Sequence, residues 1–255
     1  MKFETALITG GSTGIGEALV RQLVAEGCRV VFCARRQEKI DALCEELGER
    51  AIGIQADVSD PQRAEALVNE AEEILGSLDL IIANAGRGRD VPAHKLTVRD
   101  VQDILQLNVQ GAIATIVAGI APMVRQQRGY LVGISSIASN RGLPTTAAYC
   151  ASKACFSTFM ESIRVDLRNT PIKVVDIRPG FIDTPLTKKN KFEMPFLMPS
   201  EKAARLILKA IKKGRPVYTF PWQMAIIAKI LRLLPGPVYE GIAGRIFGSI
   251  RSKSP

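Results

Sequence analysis

The sequence predicts an α/β fold, a single doubly wound parallel sheet with helices on both faces and a helical extension at its C-terminal end. Three observations carry this. Short apolar, β-rich runs alternate with stretches of helical periodicity for some 220 residues. The runs are apolar throughout, as strands covered on both faces must be. No Pro/Gly/Ser-rich linker divides them, so one sheet accounts for the whole stretch.

In chain order the strands are TALIT (5–9), RVVFCA (29–34), AIGIQA (51–56), LDLIIA (78–83), YLVGIS (130–135), KVVDI (173–177) and PVYTF (216–220). Helices are expected at 14–26, 37–47, 61–75, 98–127 with breaks, 147–169 and 200–213. Two regions escape the alternation. The loop 181–199 follows the sixth strand, at the sheet end where open α/β folds hold ligands, and reads as a lid over such a site. Residues 1–220 thus form the expected core domain, and 221–255 an extension in which Pro235-Gly236-Pro237 should separate two helices.

At 255 residues, 47% hydrophobic and 23% charged, the chain is long enough and apolar enough to bury a substantial core. Its formal charge of +9 is unevenly spread. Residues 188–255 carry 14 Lys and Arg against three Glu, a net +11, while the first 187 carry 20 against 22, a net −2. Any anionic partner is therefore expected at the C-terminal quarter. The charge follows no helix-turn-helix, zinc or RNA-recognition pattern, so no nucleic-acid partner is expected. Five cysteines (Cys28, Cys33, Cys44, Cys150, Cys155) form no CxxC or metal-ligand spacing and read as small buried thiols of a reduced, cytoplasmic protein. The opening MKFETALITG has no basic leader, and no signal peptide is expected. The sole histidine, His94, has no partner in sequence and is given neither a metal nor a catalytic role.

Directly after the first strand, TGGSTGIG (9–16) opens a helix. Gly10 permits a tight turn, Gly14 a close backbone approach to phosphate, and Gly16 close packing of helix and strand. With Thr9, Ser12, Thr13 and Ile15 these glycines are the candidate phosphate-binding set of a dinucleotide site. The second strand ends CARR, where an NAD site usually presents an acid; Arg35 and Arg36 suit a ribose 2′-phosphate, so NADP(H) is preferred and NAD(H) is the alternative. Asp57 is an acceptor for an adenine amino group beside the Val58 amide, and Asn84, Ala85 and Gly86 bend around a flat ligand. Each segment alone is compatible with ordinary turn chemistry.

Taken together, TGGSTGIG (9–16), ANAG (83–86), Asn108 in LNVQG, ISSIAS (134–139), YCASK (149–153) and RPGFIDT (178–184) make the chain resemble the short-chain dehydrogenase/reductase superfamily over residues 5–220. The resemblance implies a Rossmann-type fold, a nicotinamide cofactor, carbonyl/alcohol interconversion and a homodimer or homotetramer. It carries a catalytic tetrad onto Asn108, Ser136, Tyr149 and Lys153, with Ser135 as a structural neighbour. It also sets Pro179 and Gly180 under the nicotinamide, the Ile182 amide on its carboxamide, and Thr184 against carboxamide or phosphate. Ala83, where the family more often has Asn, departs from the pattern without removing a side-chain contact.

Tyr149 and Lys153 stand four apart on a predicted helix and so share a face. A free phenol titrates at about 10, and a neighbouring ammonium should lower that value toward working pH. Tyr149 is then acid/base, Ser136 a second donor to the developing alkoxide, and Lys153 both tuner and ribose ligand. The resemblance further implies that Asn108, in a helix interior, leaves its backbone carbonyl free for a water linked to Lys153. Lid residues Phe181, Phe192, Met194, Phe196, Leu197 and Met198 favour a bulky apolar carbonyl substrate. The alternatives are an NAD-linked alcohol or hydroxysteroid dehydrogenase and a catalytically idle NADPH-binding module that controls membrane docking. In the extension, Lys229 and Arg232 share a narrow face beside broad apolar surface. Peripheral contact with anionic membrane and packing on the protein are both open at this stage.

Overall fold

A computed structural model describes residues 2–189 and 193–248. The chain runs β1 (Thr5–Thr9), α1 (Gly14–Ala25), β2 (Arg29–Ala34), α2 (Gln37–Leu47), β3 (Ala51–Gln55), α3 (Pro61–Leu75) and β4 (Leu80–Ala83). Next come α4 (Val98–Leu105), α5 (Ala112–Arg125), β5 (Gly129–Ile134), α6 (Ala147–Asp166) and β6 (Ile172–Pro179). It closes with β7 (Ile182–Asp183), β8 (Met198–Pro199), α7 (Ser200–Lys212), β9 (Val217–Phe220), α8 (Trp222–Leu233) and α9 (Gly236–Gly248).

The main sheet is parallel throughout, in the order β3-β2-β1-β4-β5-β6-β9. Its order reverses between β1 and β4, which opens a crevice beyond their carboxyl ends. The strands alternate sides. Ile8, Val30, Ile82 and Val175 meet Leu19, Ile40 and Ile207 of α1, α2 and α7, whereas Leu7, Val31, Ile81 and Val174 meet Leu67, Ile116 and Phe156 of α3, α5 and α6. Two fully buried layers explain why the strands read as unbroken apolar runs.

Local chemistry sets the helix ends. Asp60 accepts the Gln62 amide at 3.0 Å with Pro61 as the first helical residue, and Gly76 closes α3 at φ 79°. Thr97 and Asp100 form a reciprocal capping box on α4. Between α4 and α5 the helix loosens into a π turn, Gln106–Gly111. A Cβ on Gly111 would fall 1.7 Å from the Val58 carbonyl oxygen, so only glycine lets this turn lie against the end of β3. On β5, Gly133 leaves room for the Phe156 ring, 2.7 Å from where a Cβ would stand, and this brings α6 onto the sheet.

Among the described residues one helical stretch, Val98–Arg125, is long and apolar enough to cross a membrane. It is the α4–α5 stretch, whose Ile104, Ile116 and Met123 are buried and whose α5 packs on α3, β4 and β5. The extension breaks into two helices at Leu234 and Pro235, while Gly236 and Pro237 open α9. In α8, Met224 and Ala228 turn inward, and the helix packs on β9 and on the 3-10 turn Ile137–Ser139 that follows Ser136. Most of its remaining apolar side chains face outward.

Candidate active site

A cleft of about 590 Å³ lies at the carboxyl ends of the strands. It is walled by the 10–16 loop, the ends of β2, β3, β4 and β5, the first turns of α6 and the start of the 179–187 loop. Of the candidate catalytic and cofactor-binding residues, all but Thr9 and Asn108 line it, whereas the lid residues Phe181, Met194, Phe196, Leu197 and Met198 do not.

The glycine loop has little freedom. Gly10 and Gly14 have φ of +68° and +58°, where a side chain is strained. A Cβ on Gly16 would lie 2.2 Å from the Gly10 carbonyl oxygen, so this glycine packs the helix start on the loop itself. Asn84 fixes the loop from β4, its Nδ2 donating to the carbonyls of Thr9 (2.9 Å) and Gly10 (3.1 Å). Thr9 corrects the sequence reading. It is buried, and its hydroxyl accepts the amides of Asn84 (3.0 Å) and Ala85 (3.1 Å), so it braces the wall from behind.

Arg35 and Arg36 both reach the cleft, and Arg36 stands just before α2. The Arg35 guanidinium is 3.9 Å from Asp57 Oδ2, while Asp57 Oδ1 takes the Ser59 amide and hydroxyl at 3.0 and 2.8 Å. Burial would raise the Asp57 carboxyl, but those hydrogen bonds and the Arg35 charge hold it below the usual range.

Ser136, Tyr149 and Lys153 converge on the inner end of the cleft. Ser136 lies close enough to Tyr149 to act on its phenol, and the Ser136 hydroxyl accepts the Ala138 amide at 3.1 Å. Ser135 is spent on structure, its hydroxyl donating to the Lys153 carbonyl at 3.2 Å and lying 2.7 Å from the Ser157 hydroxyl. Lys153 Nζ donates to the Ile134 carbonyl at 2.8 Å and stands 5.9 Å from the centre of the Tyr149 ring. Burial pulls this ammonium down to about 8, against the supporting charge of Asp176.

The phenol departs from expectation. Burial pushes Tyr149 above its ordinary value, opposed by Ser136 and aided by Cys150. The expected lowering by Lys153 is not found, because desolvation outweighs an ammonium engaged by a backbone carbonyl. Asn108 is also placed differently. It sits in the π turn rather than an α-helix, fully buried, with Nδ2 donating to the Arg87 carbonyl (2.8 Å) and Ser152 hydroxyl (3.0 Å) and Oδ1 accepting the Arg87 amide (2.9 Å). Its side chain thereby ties the 84–88 segment to α6.

One buried group has no sequence signal. Asp176 on β6 is fully buried opposite Gly133, bonded to Arg178 Nε at 2.7 Å, with Oδ1 lacking a hydrogen-bond partner. Burial raises its carboxyl, while Arg178 and Ser157 counter that rise. It read only as part of an apolar strand. The thiols are not uniform either. Cys28, Cys33 and Cys150 are buried and Cys44 half-buried, but Cys155 is exposed on α6. His94 is exposed, and no cluster of metal-ligating side chains occurs among the described residues. In the 181–199 loop, Met198 is buried and Phe196 and Leu197 are exposed, while Phe192 lies outside the described residues.

The donors fit a nicotinamide dinucleotide. Thr13 makes no side-chain cap at α1, so the first-turn amides remain for an anion at the helix N-terminus. Gly86 lines the inner floor beside Lys153 Nζ and Asn108 Oδ1.

Fold and cleft are those of a dinucleotide-dependent oxidoreductase. The family model of the short chain dehydrogenases matches residues 4–194, and the chain belongs to that family. It is 41% identical over 249 residues to an uncharacterised oxidoreductase of Myxococcus xanthus, covering 96% of this chain and 98% of that one. A Burkholderia phymatum short-chain dehydrogenase/reductase solved in complex with NAD superposes with TM-score 0.83 at 21% identity, over 89% of this chain and 92% of that one. The closed form of a serine dehydrogenase complexed with NADP+ gives TM-score 0.78 at 24% identity, over 86% and 95%. These likenesses define an NAD(P)-dependent short-chain dehydrogenase/reductase without choosing between the two cofactors.

Proposed function

We propose that the chain interconverts a bulky apolar ketone or aldehyde and its alcohol, with NADP(H) as the preferred cofactor. The observation that carries this reading is the meeting of Ser136, Tyr149 and Lys153 at one end of a cleft whose other end holds the glycine loop and Arg35. The nicotinamide, when bound, supplies or accepts the hydride. Tyr149, kept protonated by burial, delivers its proton to the substrate oxygen in the reductive direction. Ser136, beside the phenol, offers a second donor to that oxygen. Lys153, held by the Ile134 carbonyl, contributes a positive charge and donors on the cofactor side. Asn108 fixes the floor between Arg87 and Ser152. Arg35 and Arg36, both in the cleft, favour a 2′-phosphate, and the half-buried Phe181 and Met194 with buried Met198, which stand outside the cleft lining, give the lid an apolar character.

A homodimer or homotetramer belongs to the same proposal, as does a cytoplasmic setting. In the latter, burial keeps the Cys28 and Cys33 thiols, pushed up to about 12 and about 11, protonated and inert. The test is a competition of NADP(H) with NAD(H), followed by a panel of carbonyl compounds graded by chain length and ring size. The expected result is NADPH oxidation with the larger apolar members and at least about tenfold tighter binding of NADPH than NADH, as one lost charge-assisted contact implies, with Arg35→Ala erasing most of that difference. Tight NADPH binding without turnover across the panel would overturn the reading in favour of an idle cofactor module.

A further inference from the structure

The outward face of α8 carries Trp222, Ile226, Ile230 and Leu233, exposed by 68%, 50%, 54% and 77%. Their spacing of four, four and three residues places them in one stripe along a helix. Lys229 falls within that stripe and Arg232 on the flank between it and the buried side, and both are exposed. The opposite side of the helix, Met224 and Ala228, is buried on the protein, so the stripe is not the surface by which α8 attaches. The attachment is a built joint. Arg141 Nη1 donates to the carbonyls of Leu231 (2.8 Å) and Leu234 (2.6 Å), and its guanidinium lies 4.2 Å over the Tyr239 ring of α9. At its other end α8 abuts Gly180, where a Cβ would meet Met224 Cγ at 3.3 Å, and the next residue, Phe181, pairs with Met198 at the base of the lid.

We propose that this stripe is a docking surface for an anionic lipid bilayer, on which α8 lies in the headgroup plane with Trp222, Ile226, Ile230 and Leu233 inserted and Lys229 and Arg232 on lipid phosphates. Charge decides the occupant. Residues 188–255 carry a net +11, and the only acid between 221 and 248 is Glu240. A second copy would set Lys229 and Arg232 against the same cationic quarter, whereas an anionic leaflet complements it. Docked there, the cleft's substrate end, held to α8 through Gly180 and the turn after Ser136, lies next to the layer in which apolar carbonyl compounds dissolve. The docking itself does not depend on the reductase reading.

Trp222 is the only tryptophan in the chain and reports on the stripe directly. The full chain is mixed with phosphatidylcholine vesicles with and without phosphatidylglycerol, and co-sedimentation and Trp222 emission are read together. Co-sedimentation and a blue shift are expected with phosphatidylglycerol alone, both reversed by salt. K229Q/R232Q should weaken vesicle binding roughly 30-fold, from about 1 kcal/mol for each cation near an anionic surface, and leave NADPH binding unchanged. Equal association with both vesicles, or with neither, would overturn the proposal. So would a blue shift that grows with protein concentration in the absence of lipid, which would assign the stripe to a second copy.

Discussion

Gly16 in α1 and Gly241 in α9 are both helical glycines, and their surroundings differ completely. A Cβ at Gly16 would strike the Gly10 carbonyl at 2.2 Å, whereas at Gly241 it would meet nothing within 4 Å. The same contrast separates the two regions. Around the cleft the backbone is clamped by side chains whose polar groups are used up, among them Thr9, Asn84, Asn108 and Ser135. In the extension one side of α8 is held by Met224, Ala228 and Arg141, and the other faces outward with four large apolar residues. Residues are dictated by packing in the first region, and in the second the outward face of α8 is left free of it.

Substitution at the two glycines exposes this difference most strongly. Gly16→Ala should cost about 1–3 kcal/mol as an overpacked contact and abolish NADPH binding, because the loop must shift. Gly241→Ala should leave binding unchanged and stabilise its helix by up to about 1 kcal/mol. Thermal unfolding with NADPH titration reads both. Next in size, Arg141→Ala removes charged hydrogen bonds of about 1.5–3 kcal/mol from the joint between the extension and the turn after Ser136. Limited proteolysis should then release 221–255 while the sheet domain stays protected; an unchanged digest would mean that Met224 and Ala228 hold α8 alone.

A smaller effect concerns the buried charge under α6. Lys153 is pulled down to about 8 by burial, so kcat/KM for reduction should be level through neutral pH and fall as pH rises through about 8, when the ammonium is lost. Asp176 opposes that depression. Asp176→Asn withdraws its charge and should move the alkaline limb to lower pH; a limb that stays in place would show that the Asp176–Arg178 pair serves the strand alone.

Much of this was legible in the sequence for physical reasons. The parallel sheet followed from apolar runs, and all seven strands and the core helices fall within a few residues of their expected places. The cleft lining was legible because close backbone approach demands glycine at 10, 14 and 16, and because an i, i+4 pair must share a helix face. What escaped detection depends on the third dimension. Thr9 sits in the glycine motif yet points behind it. The π turn at 106–111 reflects Gly111 meeting Val58, a contact across 53 residues. Asp176 hid inside a strand because its partner Arg178 and neighbour Ser157 only meet it in the fold. For the Tyr149 phenol, spacing gave the neighbour, but burial decided the direction of the shift. In α8, periodicity located the cations without revealing that Met224 and Ala228, rather than the wider apolar arc, would turn inward.

The central claim is that Tyr149 acts on substrate in a cleft that binds cofactor without it. The direct measurement is Tyr149→Phe, with NADPH affinity and carbonyl reduction determined on the same preparation. NADPH affinity should match the unsubstituted chain while kcat falls at least about 100-fold, the scale of a lost general acid. Turnover within a few-fold of the original would contradict the account.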